Sequence, residues 1–174
     1  MYHTANLILR NLKEDDFASF YALNADEEVM KYFPNTLTKE SARIAFNGMQ
    51  EFWKKQGFGA FSVEEKSSGK WIGFVGFNIP SFMPESVEMV WRLRREFWGK
   101  GYATEAAKKC IEIGFDEYKF KEIIAFTARI NTKSIAVMKR AGFKEETEKN
   151  FCHPKLDKRH PLSSHVFYSI QNNL

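Results

Sequence analysis

Apolar and polar residues alternate along Val87-Glu88-Met89-Val90-Trp91-Arg92-Leu93, and the apolar positions are branched or aromatic, the pattern of a half-buried strand. Beyond it, Ala106, Ile111, Gly114, Phe115 and Tyr118 recur near helical spacing. The same reading along the chain predicts a strand near 4–10, helices near 13–24 and 38–56, and strands near 59–66 and 70–79. Ser67-Ser68-Gly69-Lys70 has the composition of a hairpin turn between the last two. A strand over 86–94, a helix over 102–117, a strand over 122–128, a helix over 132–141 and strands over 143–149 and 165–171 follow. Only 150–164 lacks an element, a long loop containing Pro154 and Pro161, of the kind that often covers a site. No internal repeat is present. The expected architecture is α/β, a mixed sheet with helices on both faces.

Between the strand over 86–94 and the helix after it stands Glu96-Phe97-Trp98-Gly99-Lys100-Gly101-Tyr102-Ala103-Thr104-Glu105-Ala106. Two glycines there let backbone N–H groups turn toward one point without a Cβ in the way, and a helix N-terminus adds positive potential. The predicted ligand is a diphosphate. A dinucleotide fingerprint is disfavoured because Thr104 replaces its third glycine and too little chain follows for a full dinucleotide fold. A triphosphate loop needs Gly-x-x-x-x-Gly-Lys-Ser/Thr, which the chain does not contain. Downstream, Asn131-Thr132-Lys133-Ser134-Ile135-Ala136-Val137-Met138-Lys139-Arg140-Ala141-Gly142-Phe143 reads as an Asn N-cap, an amphipathic helix with Ile135 and Met138 inward, and a Gly C-cap.

Together these segments resemble the GCN5-related N-acetyltransferases. Glu96, Gly99 and Gly101 occupy the positions of that family's Gln/Arg-x-x-Gly-x-Gly/Ala motif, with Glu96 departing from Gln or Arg. The run through Ala106 looks like the branch that includes ribosomal-protein N-terminal acetyltransferases. Asn131 to Phe143 resembles the family's Asn-x-x-Ser/Ala helix ending in Gly-Phe. Leu7-Ile8-Leu9-Arg10 with Asn11 to Asp16, and the His153-Pro154, Pro161-Leu162 and His165-Val166-Phe167-Tyr168 tail, extend the likeness over the whole chain. The resemblance implies one domain over residues 1–174, with a largely antiparallel sheet splayed at the cofactor site. It also implies that acetyl-coenzyme A is held by Val90, Trp91, Arg92, Leu93 and Arg94, by Trp98, Gly99, Lys100, Gly101, Tyr102, Ala103 and Thr104, and by Asn131 and Ser134.

The implied reaction is direct attack of a primary amine, of a protein N-terminus or a small molecule, on the thioester in a ternary complex. Backbone N–H groups around Val90 to Leu93 would stabilise the developing oxyanion. Aliphatic amines are protonated at neutral pH, so a base is needed; Glu88, an acid on the central strand, is the candidate. Glu105 in the first helical turn suits the helix dipole and is assigned a structural role. Many relatives carry Tyr where this chain has Met138, which cannot protonate a thiolate, so Ser134 is the candidate acid. The missing Tyr keeps open a non-catalytic acyl-coenzyme A binding or sensing module.

Bulk properties narrow the remaining classes. A chain of 174 residues suits one core, burying roughly 70% of its unfolded surface. The formal net charge is +4, yet Lys and Arg are interleaved with Asp and Glu, which argues against nucleic acid. The densest basic group, Arg92, Arg94, Arg95 and Lys100, flanks the glycine loop. Cys110 and Cys152 make no Cys-x-x-Cys pair, and no long apolar run is present, pointing to a reduced, cytoplasmic protein without a membrane segment. The oligomeric state is left open between monomer and homodimer. His153, His160 and His165 with Cys152 fit no compact zinc pattern, so no metal is expected. Cys152 and His153, adjacent on extended chain, point apart and do not form a nucleophilic pair. Acceptor specificity is assigned to 26–56 and 150–164, where Tyr32, Phe33, Phe52 and Trp53 could line a pocket and Asp26, Glu27 and Glu28 could attract a cation or cap a helix.

Overall fold

A computed structural model describes residues 1–172. Antiparallel pairing builds the first half of the sheet from β1 (Tyr2–His3), β2 (Leu7–Arg10), β3 (Ala60–Glu65), β4 (Lys70–Asn78) and β5 (Glu88–Leu93). The second half comprises β6 (Glu122–Ala128), β7 (Lys144–Glu145), β8 (Phe151–Cys152) and β9 (Ser164–Gln171). Spatial order is β1-β2-β3-β4-β5-β6-β9-β7, with β8 also on β9. The halves meet at β5 and β6, which run parallel and share one register partnership, Glu88 with Ile124.

Two helices cover each face. On one lie α1 (Phe17–Ala25) and α2 (Lys39–Gln56), packing Phe17, Phe20, Leu23 and Phe46 onto Ala60, Trp71 and Phe74 of the sheet. Phe46 meets Phe17 and Phe20 edge-to-face, with ring centroids 5.5 and 5.3 Å apart. Thr38 caps α2 by accepting the Ser41 N–H, and Gly57 ends it in the left-handed conformation. The opposite face carries α3 (Tyr102–Asp116) and α4 (Thr132–Ala141), which bury Cys110, Ile113, Met138 and Ala141 against Phe77, Ile123 and Tyr168.

A buried ionic network fixes the start of α1 to the sheet. Arg10 on β2 donates to both oxygens of Asp16, at 2.7 and 2.8 Å, and through Nε to Glu64 at 3.1 Å. Asp16 also accepts the Lys13 N–H and the Ser62 hydroxyl, and Ser62 accepts the Trp71 indole N–H. Burial pushes the Asp16 carboxyl up, but Arg10, Lys13 and Ser62 outweigh it and hold it below the usual carboxylate range.

Three expectations need correction. Strand over 143–149 shrinks to Lys144–Glu145, followed by a 3-10 turn at Thr147–Lys149. The run Lys144-Glu145-Glu146-Thr147-Glu148-Lys149 has no apolar face to bury, so it cannot hold a long edge strand. Segment 150–164 contains β8, which pairs Phe151 with His165 and Cys152 with Ser164, whereas 26–38 and 79–87 carry no helix or strand. Asp26 does not start a helix: its carboxylate accepts the Glu28 and Val29 N–H groups and closes a turn after α1.

Candidate active site

Parallel contact between β5 and β6 ends almost as it begins. The Ile124 N–H donates to the Val87 carbonyl at 2.9 Å beside the single Glu88–Ile124 partnership. On the other edge of β5, the Arg94 N–H donates to the Ile72 carbonyl at 2.8 Å, and Arg92, Val90 and Glu88 stand opposite Phe74, Gly76 and Asn78. Backbone groups alternate along a strand, so Val90 and Arg92 direct their N–H groups to β4. Those of Trp91 and Leu93 therefore face the gap where β6 has diverged. Of the four residues expected to supply backbone donors, the gap receives these two.

At the C-terminal end of β5 the chain makes a 3-10 turn at Arg95–Phe97 and reaches the glycine loop. Gly99 and Gly101 have φ of +77° and +81°, and no atom lies within 4 Å of where a Cβ would stand on either. The loop is therefore left-handed and open on its outer side. Gly101 is the N-cap of α3 and provides no side-chain cap, so the N–H groups of Tyr102, Ala103 and Thr104 open toward the loop. Their position matches an anion subsite. Side chains at Lys100 and Tyr102 turn back instead to Glu65, at 3.3 and 2.8 Å. Ser68, then Tyr102 and Lys100, hold the Glu65 carboxyl down at about 2. Trp98 donates its indole N–H to the Leu93 carbonyl at 2.8 Å, and Lys133 of α4 lies 4.1 Å over its ring. Arg94 pairs with Glu96 at 2.6 Å, a partly exposed contact.

The start of α4 closes the other side of the loop. Asn131 accepts the Ser134 N–H at 3.2 Å and donates to Thr127 at 3.0 Å, so its side chain is both cap and tie to β6. The Ser134 hydroxyl has no partner among the described residues. Met138 is buried between α3 and the sheet.

Glu88, Val90 and Arg92 share the face of β5 that looks toward α1 and α2. Glu88 is 9% exposed and accepts a hydrogen bond from Asn78 Nδ2 at 3.0 Å. Burial raises its carboxyl to about 7, with Asn78 opposing in part. Arg92 lies on the face away from α3, against Asn24, Phe33 and Phe74. Its side chain thus turns away from the glycine loop to which the sequence assigned it. Along the same face, Phe82, Phe126, Phe151, His153 and His165 form a ring cluster with His153 and His165 centroids 5.0 Å apart. Burial lowers both imidazoles below their ordinary values.

Other candidates have structural positions. Glu105 accepts the Thr4 hydroxyl and the Asn6 N–H at 2.5 and 2.7 Å, tying α3 to the start of the chain. Cys110 is buried and Cys152 exposed. No cluster of three His, Cys, Asp or Glu side chains suited to a metal occurs among the described residues. Phe52 and Trp53 pack on Phe58 and Phe61, while Phe33 stays 41% exposed. Sequence reasoning missed Asn78, Asn24, Lys133 and the ring cluster. Asn78 alone had a signal, since a polar residue ending an apolar strand opposite an acid marks a pair once the hairpin register is drawn.

The family described as Acetyltransferase (GNAT) domain matches residues 6–144. The uncharacterized N-acetyltransferase YnaD of Bacillus subtilis is 32% identical over 155 residues, covering 87% of this chain and 87% of its own. A GNAT-family acetyltransferase from Bacillus anthracis superposes with a TM-score of 0.80 at 26% identity, covering 97% of this chain and 96% of that one. Spermidine N-acetyltransferase from Vibrio cholerae, solved with CoA and spermine, shares the fold at a TM-score of 0.77 and 20% identity, covering 96% of each chain.

Proposed function

The chain belongs to the GNAT acetyltransferase family, and on that premise we propose that it is an acetyl-coenzyme A-dependent N-acetyltransferase acting on a primary amine in a ternary complex. One observation carries the reading: two left-handed glycines and an uncapped helix N-terminus sit at the mouth of a gap between parallel strands. Bound acetyl-coenzyme A would supply the activated acetyl group. The N–H groups of Tyr102, Ala103 and Thr104 bind its diphosphate, with Gly99 and Gly101 allowing the approach and Lys133 adding charge nearby. Trp91 and Leu93 donate backbone hydrogen bonds into the gap, where a thioester carbonyl oxygen gains charge as the amine attacks.

Glu88 takes the proton lost by the amine, directly or through water; a carboxyl near 7 is matched to that work at neutral pH. The C–N bond forms, the C–S bond breaks, and the sulfur takes a proton relayed through the Ser134 hydroxyl, which recovers one in the same step from the reacting nitrogen or from water. Asn131 orients Ser134 through its backbone N–H. Calorimetry with acetyl-coenzyme A, with desulfo-coenzyme A and NAD as controls, tests the cofactor class: binding of the first two and not NAD is expected, and no binding overturns the reading.

Met138, buried where many relatives carry a tyrosine, favours one alternative, a module that binds acyl-coenzyme A without turning it over. Release of free thiol in the presence of an amine separates the two. A catalyst releases thiol; a binding module does not.

A further inference from the structure

Resting on that acetyltransferase reading, we infer that Arg92 anchors a carboxylate on the acceptor, so that the substrate class is an amine bearing a nearby carboxylate, as in an amino acid. Five N–H donors of a guanidinium require acceptors, and this one has few. Its Nη1 donates to the Oδ1 of Asn24, which is itself fully buried. Nε is inside the protein with no partner. No carboxylate of the described residues pairs with it, although Arg10, comparably placed on β2, holds both Asp16 and Glu64. The rings of Phe33 and Phe74 lie 4.0 and 5.5 Å from its centre and fix the guanidinium without supplying an acceptor oxygen. A half-buried guanidinium whose Nε is shut from solvent with neither an acceptor nor a counter-ion is unfavourable, and an anion at its free donors would complete it.

Placement on β5 gives the acceptor its orientation. Glu88, Val90 and Arg92 point to one face, and Glu88 and Arg92 are about 13 Å apart along the strand at ~3.3 Å per residue. Between them, Trp91 opens its N–H to the gap on the other edge of the strand. An amine held near Val90 has Glu88 on one side to take its proton and Arg92 on the other to hold its carboxylate. Bidentate recognition by arginine suits a planar carboxylate. A polyamine entering the same face would meet an unneutralised positive charge. Phe33, 41% exposed on the irregular 26–38 segment, lies over the guanidinium and is the ring an acceptor would displace.

The test pairs amino acids with amines that lack only the carboxylate, phenylalanine against phenethylamine and leucine against isoamylamine, read as thiol release and separately as a thermal shift of the protein saturated with coenzyme A. Wild type is expected to prefer the amino acid by about tenfold or more in kcat/KM, the worth of a charge-assisted hydrogen bond. Arg92→Met should abolish the preference through KM, Arg92→Lys should restore part of it, and both should bind acetyl-coenzyme A like the parent. Arg92→Met leaves the buried Asn24 Oδ1 without its donor, so its melting temperature should fall modestly while the preference is lost. Equal use of both members of each pair by wild type overturns the inference and leaves the acetyltransferase reading standing. So does a lower melting temperature in Arg92→Met with the preference intact, the signature of a structural arginine. Where thiol release is absent, a carboxylate-dependent thermal shift lost in Arg92→Met supports the anchor, and no such shift overturns it. Failure to bind acetyl-coenzyme A instead defeats the acetyltransferase reading.

Discussion

Asn78 and Glu88 stand directly opposite each other in the β4–β5 register, and the amide of the first donates to the carboxylate of the second at 3.0 Å. The pair sets the protonation of the site: burial drives the carboxyl up and Asn78 restrains it at about 7. Removing the amide should raise it further. The rate profile of Asn78→Leu is therefore expected to shift to higher pH, with the plateau rate preserved; an unshifted profile would separate Asn78 from the proton transfer.

Glu88→Gln should lower turnover by about a hundredfold or more while binding acetyl-coenzyme A unchanged. In the parent, activity should rise as pH climbs through about 7, because the base works in its deprotonated form. The Gln variant should lose that limb. A persisting rise would assign it to another group.

At Gly101 the open outer side distinguishes backbone strain from ligand obstruction. Gly101→Ala meets no protein atom within 4 Å but must hold φ near +81°, a strain of roughly 1–2 kcal/mol. Gly101→Trp should add a block to the diphosphate. Denaturant titration and calorimetry should show similar stability losses for the two and a much larger affinity loss for Trp.

Asp16→Asn leaves Arg10 buried with one carboxylate fewer, and a loss of about 3 kcal/mol is expected on breaking such a pair. The folded Asp16 titrates below its unfolded value, so its contribution is present above the unfolded pKa and lost as pH falls through the folded one. Stability of the parent should accordingly decline on acidification through that window, and the Asn variant should decline less. Urea melts at a series of acidic pH values measure both.

Sequence periodicity located most elements because the residues that build them are neighbours. The helix over 132–141 coincides with α4, since an Asn cap and a Gly stop bracket it locally. Lys144 to Lys149 reads as strand only if charge is ignored, and there the apolar face was missing. Glycine placement also carried to the left-handed loop, because φ is a property of single residues. What stayed hidden depends on distant chain: Asn24 meets Arg92 across 68 residues, and Glu88 is raised only because the folded protein buries it. Alternation along β5 does contain the division between Val90 and Arg92 on one side and Trp91 and Leu93 on the other. It becomes readable once the partner of each edge is known.

A sheet joined at its centre by one partnership has a consequence for how the molecule comes apart. The strands before the Glu88–Ile124 contact form one continuous ladder, and those after it form another around β9. Across the seam the hydrogen-bonded lattice is nearly absent, and side-chain packing, that of α3 and of Phe82 on Phe126 and Phe151, is left to make the two ladders melt together. Anything seated in the gap touches both. A bound cosubstrate would then act as a missing rung, sharpening the unfolding transition as well as moving its midpoint.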